Sequence, residues 1–280
     1  MRPKQWAKNV LVAAAPGAAH VLFHAQVAEK TAVAFVVFCL AASGSYLFND
    51  VRDLDADRNH PTKRLRPIAS GALPIPVALG AASGLVAVAL IIALLLSLKF
   101  AALVAAYLVI TLSYSLWLKH EPVLDIAVVA SGFVFRAVAG GVATHIPLSQ
   151  WFLIVTAAGS MFVVAGKRHG EFVQMGEERG TTRASLLAYD LPYLRFVWVL
   201  SSGIAIVAYC LWAFEQTHLH AFPWFELSIV PFVLALLRYA LVIEAGQAGA
   251  PEDVLLHDRV LLAISAAWLL IYGIGVYVAK

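Results

Sequence analysis

Asn49-Asp50-Val51-Arg52-Asp53-Leu54-Asp55-Ala56-Asp57-Arg58-Asn59-His60-Pro61-Thr62-Lys63-Arg64-Leu65-Arg66-Pro67-Ile68-Ala69-Ser70-Gly71 is a polar island between two long apolar runs. Four carboxylates, Asp50, Asp53, Asp55 and Asp57, are followed by the cations Arg58, Lys63, Arg64 and Arg66. On a continuous helix, turning about 100° per residue, Asp50, Asp53 and Asp57 share one face and Asp55 points elsewhere. Carboxylates one and two turns apart repel, so a helix gains nothing from this grouping unless a cation sits among them. Hard oxygen donors that leave open positions suit Mg²⁺, which keeps waters and takes substrate phosphate as its remaining ligands. Asp50, Asp53 and Asp57 are therefore read as metal ligands and catalytic groups, with Arg58, Lys63 and Arg66 as partners for phosphate. A solvated loop of mixed charge is the plainer reading. The position at the mouth of a membrane protein favours the metal–diphosphate site.

The membrane is implied by composition. Of 280 residues, 61% are hydrophobic and 13% charged, about half the charged share of a soluble domain. Apolar segments of spanning length fall near 9–27, 31–49, 76–97, 100–118, 123–143, 149–167, 194–214, 224–244 and 258–279, which predicts nine transmembrane helices. Pro16-Gly17 makes the first the weakest, and the cationic, Ala-rich start resembles a signal peptide; we read it as a retained first helix. No basic stripe lies outside the membrane-flanking loops, so nucleic acid is not an expected partner. Cys39 and Cys210 sit inside apolar runs and read as packing residues, and the nine histidines show no metal-ligand spacing.

Charge placement orients the chain. With the N-terminus inside, only Lys30, Lys99 and Lys280 of the twenty Lys and Arg residues fall outside, and Arg136 lies within a span. The aspartate cluster is then cytoplasmic by the positive-inside rule. Two inside loops are long, 50–75 and 168–193, each after an even-numbered span, which hints at an internal duplication. Arg136, mid-span, is costly there and is expected to face the bundle interior against phosphate, a cavity aspartate or a structural ion-pair partner. Gly140-Gly141 beyond it permits close helix packing. In the patch Pro251–Arg259, Asp258 is placed to face a cavity, while Glu252 and Asp253 read as helix-start residues. The tryptophans near span ends, Trp198 among them, read as interfacial anchors.

These residues resemble the UbiA-type intramembrane prenyltransferase superfamily. The resemblance rests on Asn49-Asp50-x-x-Asp53-x-x-x-Asp57, on Arg2-Pro3-x-Gln5-Trp6-x-Lys8-Asn9, on His60-Pro61-x-Lys63-x-x-Arg66-Pro67-Ile68, and on Tyr114-Ser115 to Lys119. It covers the whole chain and implies a single domain, 1–280: an all-α bundle of nine helices with a cytoplasm-facing cavity. Usual members join a polyprenyl diphosphate to an aromatic acceptor and carry a second aspartate-rich motif after the sixth span. Here that place holds Lys167, Arg168 and Glu171. Together with Tyr193-Leu194-Arg195-Phe196 and Asp258-Arg259-Val260-Leu261, the substitution resembles the decaprenyl-phosphate phosphoribosyltransferase branch of actinobacterial cell-wall synthesis.

What the resemblance implies is transfer of 5-phosphoribose from phosphoribosyl diphosphate (PRPP) to decaprenyl or another polyprenyl phosphate, with Mg²⁺ as cofactor, towards the arabinan precursor. Asp50, Asp53 and Asp57 would then face the diphosphate. Asn49 would bond the ribose or complete the metal shell, and Lys167 and Arg168 would suit the C5 phosphate. Glu171 would accept from ribose hydroxyls or aid a second metal, unless Lys167 and Glu171 are a plain helix pair. Lys63, Arg66 and Lys119 would hold phosphate near the membrane surface, with anionic lipid headgroups as the alternative ligand. Tyr189 and Asp258 complete the substrate-binding set. The acceptor is already an anion, so no general base is needed. Membrane lipid is the surrounding partner, and a homo-oligomer is left open. The alternative function is ordinary prenyl transfer to an aromatic acceptor.

Overall fold

The computed structural model describes residues 3–59, 63–175, 184–217 and 222–278. The His60-Pro61 part of the first motif lies outside them, as do Arg2, Arg179, Arg183 and Lys280. Among the described residues every regular element is helical, and eight helices are long and apolar enough to cross a membrane. Their apolar length makes the chain a multi-pass membrane protein. By internal packing it divides into two compact units, Met1–Leu148 with Gly180–Ser185, and Ser149–Arg179 with Leu186–Lys280.

The first unit opens with a 3₁₀ helix, Pro3–Ala13, and then α1, Ala14–Ala18. The first expected span, 9–27, is therefore not one of the eight long helices. A 3₁₀ helix repeats every three residues, and Trp6, Asn9, Val12 and Ala15 follow that spacing. Asn9, Val12 and Ala15 are buried, Trp6 donates to Ser43 (3.2 Å) and Asn9 to the Cys39 sulfur (3.2 Å). The polar contacts along this stripe hold a 3₁₀ run far longer than the usual three or four residues. Pro16 cannot donate to the Val12 carbonyl. That carbonyl lies against Gly140, where a Cβ would stand 1.9 Å from it. The close packing expected at Gly140 is thus packing against this segment.

Four long helices follow in the unit: α2 (Ala25–Arg52), α4 (Ile75–Leu96), α5 (Leu98–Leu116) and α6 (Leu124–Thr144), with α3 (Leu54–Asn59) between the first two. Phe38, Phe100, Val104 and Tyr107 fill the core among Ala34, Ala41, Ala89, Ala93 and Ala139. Lipid offers no hydrophobic drive between helices, so such small residues matter because they let backbones approach. At Gly44 the helix lies close to α4, with the Ala82 carbonyl 2.9 Å from where a Cβ would be.

The second unit holds α7 (Gln150–Met175), α8 (Leu191–Thr217), α9 (Trp224–Glu244), α10 (Pro251–His257) and α11 (Arg259–Tyr277). Phe162 of α7 meets Trp198 and Tyr239 edge-on, at 6.3 and 5.5 Å between ring centroids. Trp198 is buried in this packing rather than acting as the expected interfacial anchor. α7 runs on to Met175, well past the expected span end at 167. It does so because Gly170 lies flat against the backbone of Ala248 and Gly249, and Gln174 donates to the Gly246 carbonyl (2.9 Å). Lys167, Arg168 and Glu171 therefore stand on a helix, not in a loop.

Candidate active site

In the first unit the aspartates are not on one continuous helix, contrary to the spacing argument. α2 stops at Arg52, and Asp53 caps it with its N–H on the Asn49 carbonyl (2.9 Å). The Asp53 carbonyl then accepts from Asp57 (2.8 Å) and starts α3. Asp50, Asp53 and Asp57 thus belong to the end of one helix, a junction and the next helix. Four carboxylates in eight residues repel along a straight helix, and the break relieves that stacking.

What gathers them is cations from farther along the chain. Arg66 Nη1 lies 3.2 Å from Asp50 Oδ1 and 2.6 Å from Asp57 Oδ2. Lys119 pairs with Asp53 Oδ1, while Asn49 donates to Asp53 Oδ2 (2.9 Å). Asp50 and Asp57 are buried, and Asp55 is exposed, as expected. Arg66 reaches back because the turn behind it is nailed down. Ile68 packs with Leu47, Ala78 and Ala82 between α2 and α4. Ser70 donates its N–H to the Arg66 carbonyl (2.8 Å), and Gly71 closes the turn at φ +82°. Arg58, exposed, reaches the Ala69 carbonyl (3.4 Å), and half-buried Lys63 opens a single 3₁₀ turn, Lys63–Leu65.

Lys119 is presented by a strained connection. α5 ends at Leu116 and a single 3₁₀ turn, Leu118–His120, carries the lysine. Val123 then adopts φ +67°, ψ −49°, with the Leu124 N–H on the Pro122 carbonyl (2.8 Å). This is the rarer hand of γ-turn, unfavourable for a β-branched residue. Two residues on, Asp125 is fully buried and accepts from Ser185 (3.1 Å). Nothing in the sequence reading singled out Asp125 or Ser185; an acidic residue in the first turn of a helix looks like ordinary capping.

Arg136 does face the interior, but its observed partners are neutral. It donates to Asn9 Oδ1 (2.6 Å), to the Gly132 carbonyl (2.6 Å) and to the Tyr107 hydroxyl (3.1 Å), and sits over the Tyr107 ring at 5.2 Å. Neither the phosphate nor the aspartate expected for it is needed to hold it. Asn9 and Tyr107 lie 127 and 29 residues away in sequence, a pairing that spacing does not reveal.

In the second unit Arg168 is 1% exposed and lies 2.9 Å from Glu171 Oε2; Lys167 Nζ is 3.9 Å from Glu171 Oε1. Tyr189 is buried and stacks on Tyr193 at 5.6 Å. Asp258 caps α11, accepting from Val260 and Leu261 (3.0 Å each), and pairs with Arg238 (2.9 Å). The Leu261 N–H, with Arg238 beside it, holds its carboxyl below the usual value.

The donor set suits a hard cation, with three carboxylates and an amide within one junction. Among the described residues, no three acidic, His or Cys side chains converge on a common point of their own. The carboxylates converge instead on Arg66 and Lys119.

A profile of the UbiA prenyltransferase family matches residues 9–257. The chain belongs to that family. Among its UbiA relatives, decaprenyl-phosphate phosphoribosyltransferases from Mycolicibacterium smegmatis and Mycobacterium tuberculosis are each 48% identical, covering 99% of this chain and 91% and 92% of theirs. The protein of that name from Corynebacterium glutamicum is 46% identical, covering 99% of this chain and 86% of its own. A UbiA homologue from Archaeoglobus fulgidus bound to DMAPP and Mg²⁺ superposes with a TM-score of 0.76 at 17% identity, covering 98% of this chain and 96% of the homologue. At that identity the likeness establishes the fold.

Proposed function

We propose that the chain is a decaprenyl-phosphate phosphoribosyltransferase: it transfers 5-phosphoribosyl from PRPP to decaprenyl phosphate and releases diphosphate, for arabinan precursor synthesis. The observation that carries this is the near full-length identity to three relatives of that name. The chemistry of Lys167-Arg168-x-x-Glu171, where ordinary family members are expected to hold a second carboxylate pair, supports it. PRPP carries a diphosphate at C1 and a separate phosphate at C5, so it calls for two unlike anion-binding groups. In this reading Asp50, Asp53 and Asp57, with Asn49, hold Mg²⁺. That ion would offset the charge gathering on the departing diphosphate.

The chain's own residues supply the rest. Arg66, Lys63, Arg58 and Lys119 neutralise diphosphate oxygens; Lys167 takes the C5 phosphate, with Arg168 and Glu171 fixing its position; Tyr189 and Asp258 border the substrate. A phosphate oxygen of the acceptor forms the new bond to C1 as the C1–O bond to diphosphate breaks. Because the acceptor is ionised, no side chain removes a proton, and positioning dominates the rate.

We also propose that the chain works as one transmembrane domain, 1–280, with its cavity facing the cytoplasm of a bacterial plasma membrane. The expected first span, 9–27, would supply a ninth crossing. Purified protein given Mg²⁺, labelled PRPP and decaprenyl phosphate should move label into the lipid phase, and Asp53→Asn should abolish this. Turnover of a polyprenyl diphosphate with an aromatic acid, and none of PRPP, would sink the proposal.

A further inference from the structure

The two cations that hold the aspartates occupy the places where a metal would take those carboxylates. Asp50 and Asp57 both converge on one nitrogen, Arg66 Nη1, and Asp57 is almost wholly buried there. Both oxygens of Asp53 are engaged, one by Lys119 and the other by Asn49. A divalent ion that drew Asp50, Asp53 and Asp57 onto itself would compete with Arg66 and Lys119 for them. A guanidinium or ammonium that leaves a partly buried carboxylate needs another anion, or it keeps the full cost of an unpaired charge.

The turns that carry the two cations are fixed while the side chains are long. Ile68 and Ala69 pin the backbone beside Arg66, and the γ-turn at Val123 sets the short segment bearing Lys119. Movement is thereby confined to flexible side chains, which swing without unfolding the turns that carry them.

We infer that Arg66 and Lys119 act as exchangeable counter-ions, resting on the aspartates and moving to the substrate's phosphate oxygens when a divalent cation takes the carboxylates. This rests on the metal–diphosphate reading above and deepens it. Its consequence is thermodynamic. Metal binding frees the cations that phosphate needs, and phosphate stabilises the cations that metal displaces, so each tightens the other by the same factor.

The test uses the full-length protein and Mn²⁺, with binding measured by calorimetry and no turnover. Inorganic phosphate serves as the anion because it chelates Mn²⁺ only weakly in solution. In the wild type, saturating phosphate should tighten Mn²⁺ binding on the order of tenfold, within the usual range of coupling between sites. Lys119→Met should bind Mn²⁺ alone several-fold more tightly than the wild type and gain less from phosphate. Lys119→Arg should restore the wild-type pattern, and thermal unfolding confirms that each variant is folded.

Equal or weaker metal affinity in folded Lys119→Met, or no gain from phosphate in the wild type, overturns the exchange. Mn²⁺ binding that is the same in Asp53→Asn as in the wild type would instead overturn the metal assignment itself. The two failures are thus distinct.

Discussion

The polar junction at the end of α2 and the charged turn of α7 use the same residue types in opposite ways. At the α2 junction the ion pairs reach beyond a helical turn. Arg66 meets Asp57 and Asp50 from 9 and 16 residues away, and Lys119 meets Asp53 from 66. On α7 the pairs are local, Arg168 and Lys167 meeting Glu171 at three and four residues' spacing. A local helix pair exists wherever the helix does; when exposed it contributes only about 0.2–0.5 kcal/mol, and buried Arg168 sets a higher cost for its own loss. A long-range pair exists only if the fold delivers it, and when it is partly buried its loss leaves a charge stranded. The first site is therefore built by tertiary structure, while these two pairs of the second lie within one helical turn of α7.

The largest effect that would separate the two regions comes from Asp57→Asn. The side chain is 4% exposed, so its loss should lower phosphoribosyl transfer by a factor on the order of 10² to 10³. It should also destabilise the protein by about 1–3 kcal/mol, read as the unfolding midpoint in detergent. Lys167→Met should do the reverse: stability within about 0.5 kcal/mol of wild type, with transfer reduced chiefly through a raised KM for PRPP. If Lys167→Met unfolds as readily as Asp57→Asn, the contrast between a tertiary and a local site fails.

Val123→Gly sharpens the first half of the comparison. Glycine adopts the positive φ of that turn freely, so the variant should be more stable by about 1 kcal/mol. Transfer should nevertheless slow, because a looser turn holds Lys119 less firmly. A variant both less stable and fully active would show that the turn carries no strain.

The smallest expected effect is at Asp258, which caps α11 and pairs with Arg238. Its folded carboxyl titrates below the ordinary 3.8, so the stabilisation it gives is present above 3.8 and is lost as pH falls through the lower folded value. The stability gap between wild type and Asp258→Asn should be constant from neutral pH to about pH 5 and close at lower pH. A gap that widens on acidification would reverse the sign of this assignment.

Much of the fold was legible because spanning helices are a local property. A run of apolar residues long enough to cross hydrocarbon must be a helix to satisfy its own backbone, and eight of the nine expected spans are helices of that kind. The first begins as a 3₁₀ helix, since Trp6, Asn9 and Val12 repeat every three residues, and an apolar count cannot tell a 3₁₀ stripe from an α one. The site was legible in its carboxylates, whose close spacing is unusual in any sequence, and in Arg66 and Lys119 as cations. Their partners were not. Asn9, Tyr107, Asp125 and Ser185 carry no local signal, being single polar residues inside or beside apolar runs.

Sequence alone thus determined eight segments long and apolar enough to cross a membrane, where the cations fall along the chain, and which residue types are gathered at the end of α2. Those follow from hydropathy and charge read a few residues at a time. Only tertiary structure decided that Arg66 spans Asp50 and Asp57, that Lys119 rests on Asp53, and that Arg136 is held by Asn9. Such pairings depend on how closely backbones approach at Gly44 and Gly140. That approach is a property of helices packed against one another, and no single segment contains it.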